Sequence, residues 1–243
     1  NGDLLLRRGG DPRSLRDKLR AFRRKANSED LLPLEEGDGL HRCTLDSGLC
    51  ERFGAEPVDP KAAFSLFIDT RHDDVYLADT SRHVLRAYPA NGAPAVSPSG
   101  SFAFPNQITL IDDELYVANT NNQTIDIVTA KEKFGSVIES ISMIVPEAHA
   151  AGHRWPSRFA RIGDDWWVNL YLFDSDWQYQ RRIELPENAD PIAIVSFGGH
   201  VLVSDWYGDR VHRLTRDGHW LGDFTSDGLT ALLQVNREHR LWW

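Results

Sequence analysis

The sequence predicts an all-β fold built from four-stranded units that repeat along the chain. The clearest sign is an apolar strand ending in Asp or Asn, followed by a polar loop and another short strand. This pattern occurs at 75–88, 115–128 and 201–214, and a more divergent copy begins at 166–169. Successive copies lie about 40 residues apart, the usual size of a four-stranded propeller blade. We therefore expect a β-propeller.

The apolar content of the strands supports this fold. The chain has 243 residues, 41% of them hydrophobic, which suffices for one large domain with its own core. Residues 64–68 and 191–196 are nearly continuous apolar runs. Strands buried on both faces have this composition. These runs are thus expected to be inner strands packed between neighbouring blades.

Two of the repeats resemble a known repeat family. The segments VYLADTSRHVLRAY (75–88) and LYVANTNNQTIDIV (115–128) are similar to the core of NHL repeats, and 104–108 resembles the strand that opens a blade in that family. The resemblance covers residues 60–243 in four or five units. It implies a β-propeller and is weak on activity.

The two chain ends are expected to complement each other. Residues 40–53 align closely with 211–224, the outer half of a blade, whereas 236–243 match the start of an inner half. A blade shared by both ends would close the ring and remove two exposed sheet edges. The prediction is five blades, and the alternative is a six-bladed ring that lacks its last strands. The five spans are 62–98, 99–145, 146–189, 190–228, and 229–243 together with 40–57.

Residues 1–39 are assigned to a basic arm and linker, and 40–243 to the propeller. The net charge is −9, but residues 1–26 carry +6, so the rest carries −15. Asp11-Pro12 is typical of a helix start, and a short amphipathic helix is predicted after it. We expect it to dock on an anionic membrane surface through 11–26, or on an acidic partner; the alternative is a solvated helix packed on the domain. The docking candidates are Leu15, Leu19, Phe22, Arg16, Arg20, Arg23 and Arg24.

The two cysteines, Cys43 and Cys50, flank an Asp-Ser-Gly turn. A two-residue loop at 46–47 would place them opposite each other on a hairpin. A disulfide is then possible and would indicate an oxidising compartment; the alternative is two free thiols. On this basis the predicted location is periplasmic or extracellular, with possible membrane association through the arm.

Four polar residues recur at the end of the second strand of successive units. They are Asp79, Asn119, Asn169 and Asp205. One interpretation is a ring of ligand-binding side chains. The favoured interpretation is structural, because Asp and Asn satisfy backbone N–H groups in tight loops.

In calcium-dependent lactonase-type propellers, Asn, Asp and Glu side chains from different blades hold one calcium ion. Calcium takes about six or more oxygen ligands. Asn106 follows Pro105 at the place that such enzymes would use, but the equivalent positions hold Ser65, Ser157, Ile192 and Thr230, which are poor ligands. No metal site is therefore predicted, and no cofactor, with calcium kept as the alternative.

The sequence favours a non-catalytic protein-interaction propeller over an enzyme. It contains no G-x-S-x-G and no phosphate-binding loop, and its acidic balance disfavours nucleic acid as a partner. A calcium-dependent lactonase or hydrolase is the first alternative. A glycan binder is the second, with Trp206 and Tyr207 as the exposed aromatic candidates because they follow a strand. The candidates for ligand or partner binding are Asn106, Trp206, Tyr207, Asp79, Asn119 and Asp205.

Overall fold

The structure is a computed structural model of the chain. It describes residues 3–8, 39–44, 50–53, 64–91, 93–144, 155–186, 191–205, 210–224, 234–235 and 241–242. The predicted helix at 11–26, together with Trp206 and Tyr207, lies outside the described residues. None of the described residues belongs to a helix with the length and apolarity needed to cross a bilayer.

The fold is an all-β propeller with four complete blades among the described residues. Each blade is an antiparallel four-stranded sheet in which consecutive strands are neighbours. Blade 1 holds β4 (Phe64–Asp69), β5 (Asp74–Asp79), β6 (Val84–Tyr88) and β7 (Ala95–Val96). Blade 2 holds β8 (Pro105–Ile111), β9 (Glu114–Asn119), β10 (Thr124–Val128) and β11 (Val137–Ser142). Blade 3 holds β12 (Phe159–Ile162), β13 (Asp165–Val168), β14 (Tyr171–Phe173) and β15 (Tyr179–Arg182). Blade 4 holds β16 (Pro191–Phe197), β17 (His200–Asp205), β18 (Arg210–Leu214) and β19 (Trp220–Asp223).

These four blades fall within the spans predicted from the repeats, but the predicted count of five differs from the structure. The chain ends form two smaller sheets instead of one shared blade. One contains β1 (Asp3–Arg8), β2 (Gly39–Thr44) and β3 (Cys50–Phe53), and the other contains β20 (Gln234–Val235) and β21 (Leu241–Trp242). β1 lies beside β21, and β20 lies beside β16.

The segment 3–8 is a strand, although the sequence analysis assigned it to the basic arm. β1 pairs with β2 in antiparallel register, with Leu5 opposite Arg42. The shared-blade prediction placed the carboxy-terminal segment next to β2. In the structure β1 occupies that position instead. The positive charge of the amino-terminal segment is typical of a solvated arm. Strand pairing depends instead on the apolar run 4–6.

The core lies between the blades and not inside any one sheet. Tyr116 and Ile125 of blade 2 pack against Trp166 of blade 3. Trp167, the next residue, points the other way and packs with Leu214 of blade 4. Because successive strand residues face opposite sides, the second strands are buried on both faces. The runs 64–68 and 191–196, for which the sequence predicted such burial, form the first strands, and their described side chains are mostly half-buried. On the other side of blade 1, Leu40 of β2 packs with Val75, Leu77 and Tyr88.

The cysteine hairpin has the predicted register. Cys43 lies opposite Cys50 in the β2–β3 pairing. That alignment is what a two-residue loop at 46–47 produces. The disulfide itself stays a prediction.

In blades 2 and 4 the turn between the third and fourth strands packs on the preceding blade. In blade 2, Gly135 has a φ of +74°, and a Cβ built on it would lie 2.4 Å from the Cβ of Ser97 at the end of blade 1. In blade 4, Gly218 approaches Ile183 of blade 3 in the same way, at 3.2 Å. Glycine is required at Gly135 because both the backbone conformation and the space exclude a side chain.

Candidate functional site: the upper rim

The upper rim is formed by the loops that follow the second strands (80–83 and 120–123) and by the segments that lead into blades 2 and 3 (101–106 and 155–158). Backbone hydrogen bonds join these loops, since the Asn121 N–H donates to the Ala103 carbonyl at 2.9 Å. Both strand-end loops close on a residue with left-handed backbone, His83 and Gln123, each with a φ of 60°. Asn106 lies in this rim, and Asp79 and Asn119 lie directly before its two strand-end loops.

Asn119 is buried at the end of β9 and has all of its polar atoms engaged. Its Oδ1 accepts a hydrogen bond from the Ala103 N–H at 2.8 Å. Its Nδ2 donates to the Ser101 carbonyl at 3.3 Å and to Asp126 Oδ2 at 2.6 Å. The side chain therefore ties the segment entering blade 2 to the second and third strands of that blade.

Asn169 has the same task in blade 3. Its Oδ1 accepts from the backbone N–H groups of Ser157 at 3.1 Å and Arg158 at 3.0 Å. Its Nδ2 donates to the Trp155 carbonyl at 3.0 Å. The two asparagines bind backbone groups that would otherwise be buried without partners, as the structural interpretation of these residues requires.

Asp79 is a carboxylate in the corresponding position of blade 1. It accepts hydrogen bonds from the Ser81 hydroxyl at 3.0 Å and the Arg82 N–H at 3.2 Å. Its charge is balanced by Arg82 at 3.2 Å and by the buried Arg86 at 3.4 Å. In blade 4, Asp205 lies 3.8 Å from the ring of buried His212, which also contacts Asp223 at 3.1 Å.

The strand-end residues follow a spacing rule that the sequence analysis missed. In three blades the strand-end residue contacts the residue seven positions later, on the adjacent third strand. The pairs are Asp79 with Arg86, Asn119 with Asp126, and Asp205 with His212. Each pair is chemically complementary: a carboxylate faces a cation or a histidine, and an amide faces a carboxylate. The seven-residue spacing is visible in the sequence, but only the pairing of the two strands gives it meaning.

Asn106 is buried as well, and its amide serves as a link between blades. Its Nδ2 donates to Thr120 Oγ1 at 2.7 Å, and that hydroxyl donates to the Pro156 carbonyl of blade 3 at 2.7 Å. Thr80 repeats this contact one blade earlier, donating to the Pro105 carbonyl at 2.8 Å. This contact has a sequence signal that the sequence analysis missed. A threonine follows the strand-end residue, and a proline lies where the next blade begins.

The inner strands are joined by side chains in a similar way. Gln107 forms a two-point contact with Phe159 of blade 3: its Nε2 donates to the carbonyl at 2.7 Å, and its Oε1 accepts from the N–H at 2.9 Å. Ser65 of blade 1 accepts from the Ile108 N–H of blade 2 at 3.4 Å. The Gln107 amide thus bonds to Phe159 as the N–H and C=O of a neighbouring strand would. It thereby fixes the distance between the inner strands of blades 2 and 3.

The lower face, formed by the turns between first and second strands, is rich in ion pairs. Arg71 of blade 1 contacts Asp113 of blade 2 at 2.8 Å, and Arg161 of blade 3 contacts Asp112 at 2.6 Å. Burial would raise the pKa of Asp69, but hydrogen bonds from Arg71 and from the His72 ring outweigh it and lower that pKa below its usual value. Arg71 thus joins two blades and holds a buried carboxylate in its ionised form.

Buried tyrosines on the blade interfaces stay neutral. Burial, together with the negative charge of Asp74, raises the pKa of Tyr76 to about 12. Its ring stacks on Phe134 of blade 2, with centroids 6.3 Å apart.

Among the described residues no group of three or more His, Cys, Asp or Glu side chains is arranged to hold a metal ion.

Two of the described tryptophans are exposed; the predicted candidates Trp206 and Tyr207 lie outside the described residues. Trp166 and Trp167 are core residues, whereas Trp155 is 53% exposed and Trp220 is 45% exposed. Trp155 lies on the upper rim. Its carbonyl is held by Asn169 and the next carbonyl by Thr120. An exposed ring on a fixed backbone is therefore available at the rim.

No protein-family model matches the chain, and no curated protein matches it. The fold is similar to solved structures. One is a streptogramin B lyase, 16% identical with a TM-score of 0.60, which covers 80% of this chain and 64% of the lyase. Another is virginiamycin B lyase from Staphylococcus aureus, 15% identical with a TM-score of 0.58, covering 80% of this chain and 65% of that one.

A third similar structure is a nidogen/laminin complex, 14% identical with a TM-score of 0.51, covering 84% of this chain and 74% of that chain. The chain spans less than two thirds of the length of the two lyases. At these identities the likeness establishes the fold alone. The protein is thus a β-propeller, while the specific resemblance to NHL repeats is not matched by a family model.

Proposed function

We propose that the protein is a non-catalytic interaction propeller that binds a partner protein through its upper rim. The observation that carries this proposal is Trp155, an exposed indole on a backbone held by Asn169 and Thr120. Exposed tryptophans on rigid supports are typical binding hot spots, because little conformational entropy is lost when they are buried.

The engagement of the recurring polar residues supports the same proposal. Asp79 is buried and bonded to the loop that follows its strand, whereas Asn119 and Asn169 are buried and bonded to the segments entering their blades. Asn106 is likewise bonded to Thr120. A metal or substrate would have to break these bonds to reach the side chains. They therefore serve to hold the rim loops in place, and the loops themselves supply the binding surface.

The finer features of the propeller belong to this proposal. We treat the repeats as NHL-type, and the sheets at the two chain ends as parts of a ring closed between blade 4 and blade 1. The contacts of β1 with β21 and of β20 with β16 support that closure. The basic arm at 11–26 is proposed to attach the propeller to an anionic membrane surface, in a periplasmic or extracellular setting.

The rim proposal is tested by partner capture with matched tryptophan variants. The chain carrying Trp155→Ala is compared with wild type and with Trp220→Ala, which removes an equally exposed indole from the outer strand β19. Chemical cross-linking in an extract of the source cells, followed by mass spectrometry, should show a protein that is lost only with Trp155→Ala. Equal cross-linking by all three chains would contradict the rim as the binding surface.

Three further measurements separate the alternatives. Thermal unfolding with added calcium should leave the melting temperature unchanged; a rise accompanied by one bound ion per chain would favour the lactonase-type enzyme. Glycan-array binding that is lost on Trp206→Ala would favour the glycan binder. Co-sedimentation with vesicles of anionic lipid should require residues 11–26, and equal sedimentation after their removal would exclude the membrane role.

A further inference from the structure

The loop that follows β9 contains the tripeptide Asn122-Gln123-Thr124. Asn-x-Thr, with any residue except proline in the middle, is the acceptor sequence for N-linked glycosylation of secreted proteins. Asn122 is the only asparagine in the chain that is followed two positions later by Ser or Thr. A tripeptide of this kind also occurs by chance, so its placement in the fold decides whether it can serve as an acceptor.

Asn122 lies where an attached glycan has room. It is the last residue of the single-turn 3-10 helix Thr120–Asn122, which belongs to one of the strand-end loops of the upper rim. Its side chain is exposed, like that of Asn121. The nearby Asn119 and Asn106 are instead buried and hydrogen-bonded. A glycan on Asn122 can therefore project into solvent, whereas one on either of these two neighbours cannot.

Thr124 is a residue whose type the packing does not explain. Its Oγ1 is buried and has no hydrogen-bond partner among the described residues. A buried hydroxyl without a partner costs about 1–3 kcal/mol. The equivalent first residue of β6 in blade 1 is Val84, which lies opposite Asp79 as Thr124 lies opposite Asn119. A β-branched residue without a hydroxyl thus suits this position, whereas the acceptor sequence requires Ser or Thr there.

We propose that Asn122 carries an N-linked glycan. The donor is an oligosaccharide activated as the diphosphate ester of a lipid. A bond forms between Nδ2 of Asn122 and the anomeric carbon of the first sugar, and the bond from that carbon to the diphosphate oxygen breaks. The lipid diphosphate leaves with the bonding electron pair, and the amide releases one proton. The reaction takes place in a secretory compartment, so this inference rests on the extracellular setting proposed above.

The glycan would stand close to the exposed ring of Trp155. Thr120, at the start of the same 3-10 helix, donates its hydroxyl hydrogen to the Pro156 carbonyl at 2.7 Å. The loop that carries Asn122 therefore lies against the segment that carries Trp155. A partner protein that binds the indole would approach the innermost sugar as well, so the sugar would limit which partners fit the rim.

The proposal is tested by mass spectrometry of the peptide that contains Asn122, taken from the protein purified from its source cells. This peptide should carry a glycan, and peptide-N-glycosidase should remove the glycan and convert Asn122 to Asp. Asn122→Gln and Thr124→Val should each abolish the modification, whereas Thr124→Ser should retain it. Asn121→Gln is the matched control, because Asn121 is the adjacent exposed asparagine outside the tripeptide, and it should leave the modification unchanged.

A stability measurement examines the argument from Thr124. After removal of the glycan, Thr124→Val should unfold at a urea concentration equal to or above that of wild type, because the lost hydroxyl has no partner. A clearly lower urea midpoint would show that the fold needs the hydroxyl and would contradict its assignment to the acceptor sequence. Far-ultraviolet circular dichroism confirms that each variant is folded.

An unmodified Asn122 peptide in the wild-type protein would overturn the proposal, and so would a glycan that persists in Thr124→Val. Partner capture through Trp155 is measured separately. Capture that depends on Trp155 in a protein without a glycan would refute glycosylation alone and leave the rim proposal standing. A glycan on Asn122 without such capture would refute only the rim proposal.

Discussion

Replacing Asn119 by alanine removes three hydrogen bonds from the buried end of β9. The Ala103 N–H loses its acceptor, which costs about 1–3 kcal/mol for an unpaired buried donor. Asp126 loses the amide that contacts its Oδ2 at 2.6 Å, and its Oδ1 already has no hydrogen-bond partner. The buried carboxylate is then without any described partner, which adds a comparable or larger cost. We expect Asn119→Ala to lower the free energy of unfolding by about 3–5 kcal/mol.

The assay is urea unfolding followed by tryptophan fluorescence, with the midpoint and the slope fitted separately. Asn121→Ala is the control, because Asn121 lies in the same loop but is exposed; it should change stability by less than about 0.5 kcal/mol. In a double-mutant cycle, Asp126→Ala should recover part of the loss, with a coupling of about 1–3 kcal/mol. A loss below about 1 kcal/mol for Asn119→Ala, or strict additivity with Asp126→Ala, would refute the reasoning.

A transplant tests the pairing rule directly. Asn119→Asp alone brings two buried carboxylates together and should be more destabilising than Asn119→Ala. Asn119→Asp combined with Asp126→Arg recreates the chemistry of Asp79 and Arg86 from blade 1. The double variant should be more stable than Asn119→Asp alone; an equal or lower urea midpoint would show that the seven-residue pairs are not interchangeable between blades.

Gly135→Ala should lower the free energy of unfolding by more than about 2 kcal/mol, because the new Cβ would meet Ser97. Gly163 has a φ of +69° and open space around it, so Gly163→Ala should lower that free energy by only about 1 kcal/mol. Equal urea midpoints for the two variants would contradict this. Asp69→Asn should lower stability by about 1 kcal/mol at neutral pH, because the folded-state pKa of Asp69 is lowered by the neighbouring arginine and histidine. A carboxylate with a lowered pKa contributes stability above its unfolded pKa and loses it as pH falls. The difference between wild type and Asp69→Asn should therefore shrink below about pH 4, and a pH-independent difference in thermal unfolding would disprove the assignment.

Much of the blade architecture could be predicted because it is encoded locally. Short, nearly continuous apolar runs define the strands, and the Asp or Asn at the strand end marks where the loop begins. The sequence favours a structural role for Asn119 and Asn169 because such side chains bind loop N–H groups, but the groups that they bind lie 11–18 positions earlier, in the segments entering their blades.

The links between blades were not predictable in the same way. The partner of Gln107 is Phe159, more than fifty positions away in the chain, and no local pattern points to it. The exposure of Trp155 is equally non-local, since it depends on how the segment entering blade 3 lies over Thr120. Candidate residues chosen by type and position, such as Asn106, proved to be buried links.

The sequence by itself determined that the chain is a propeller and the spans within which its four described blades lie, and it offered a hairpin with Cys43 opposite Cys50. These features rest on periodicity and turn chemistry, which act over a few residues. Only the tertiary structure decided how the chain ends pair, with β1 beside β2, and which of the recurring residues meet across strands. Such contacts depend on the packing of segments distant in the chain, and strands of similar pattern can exchange places without changing any local preference.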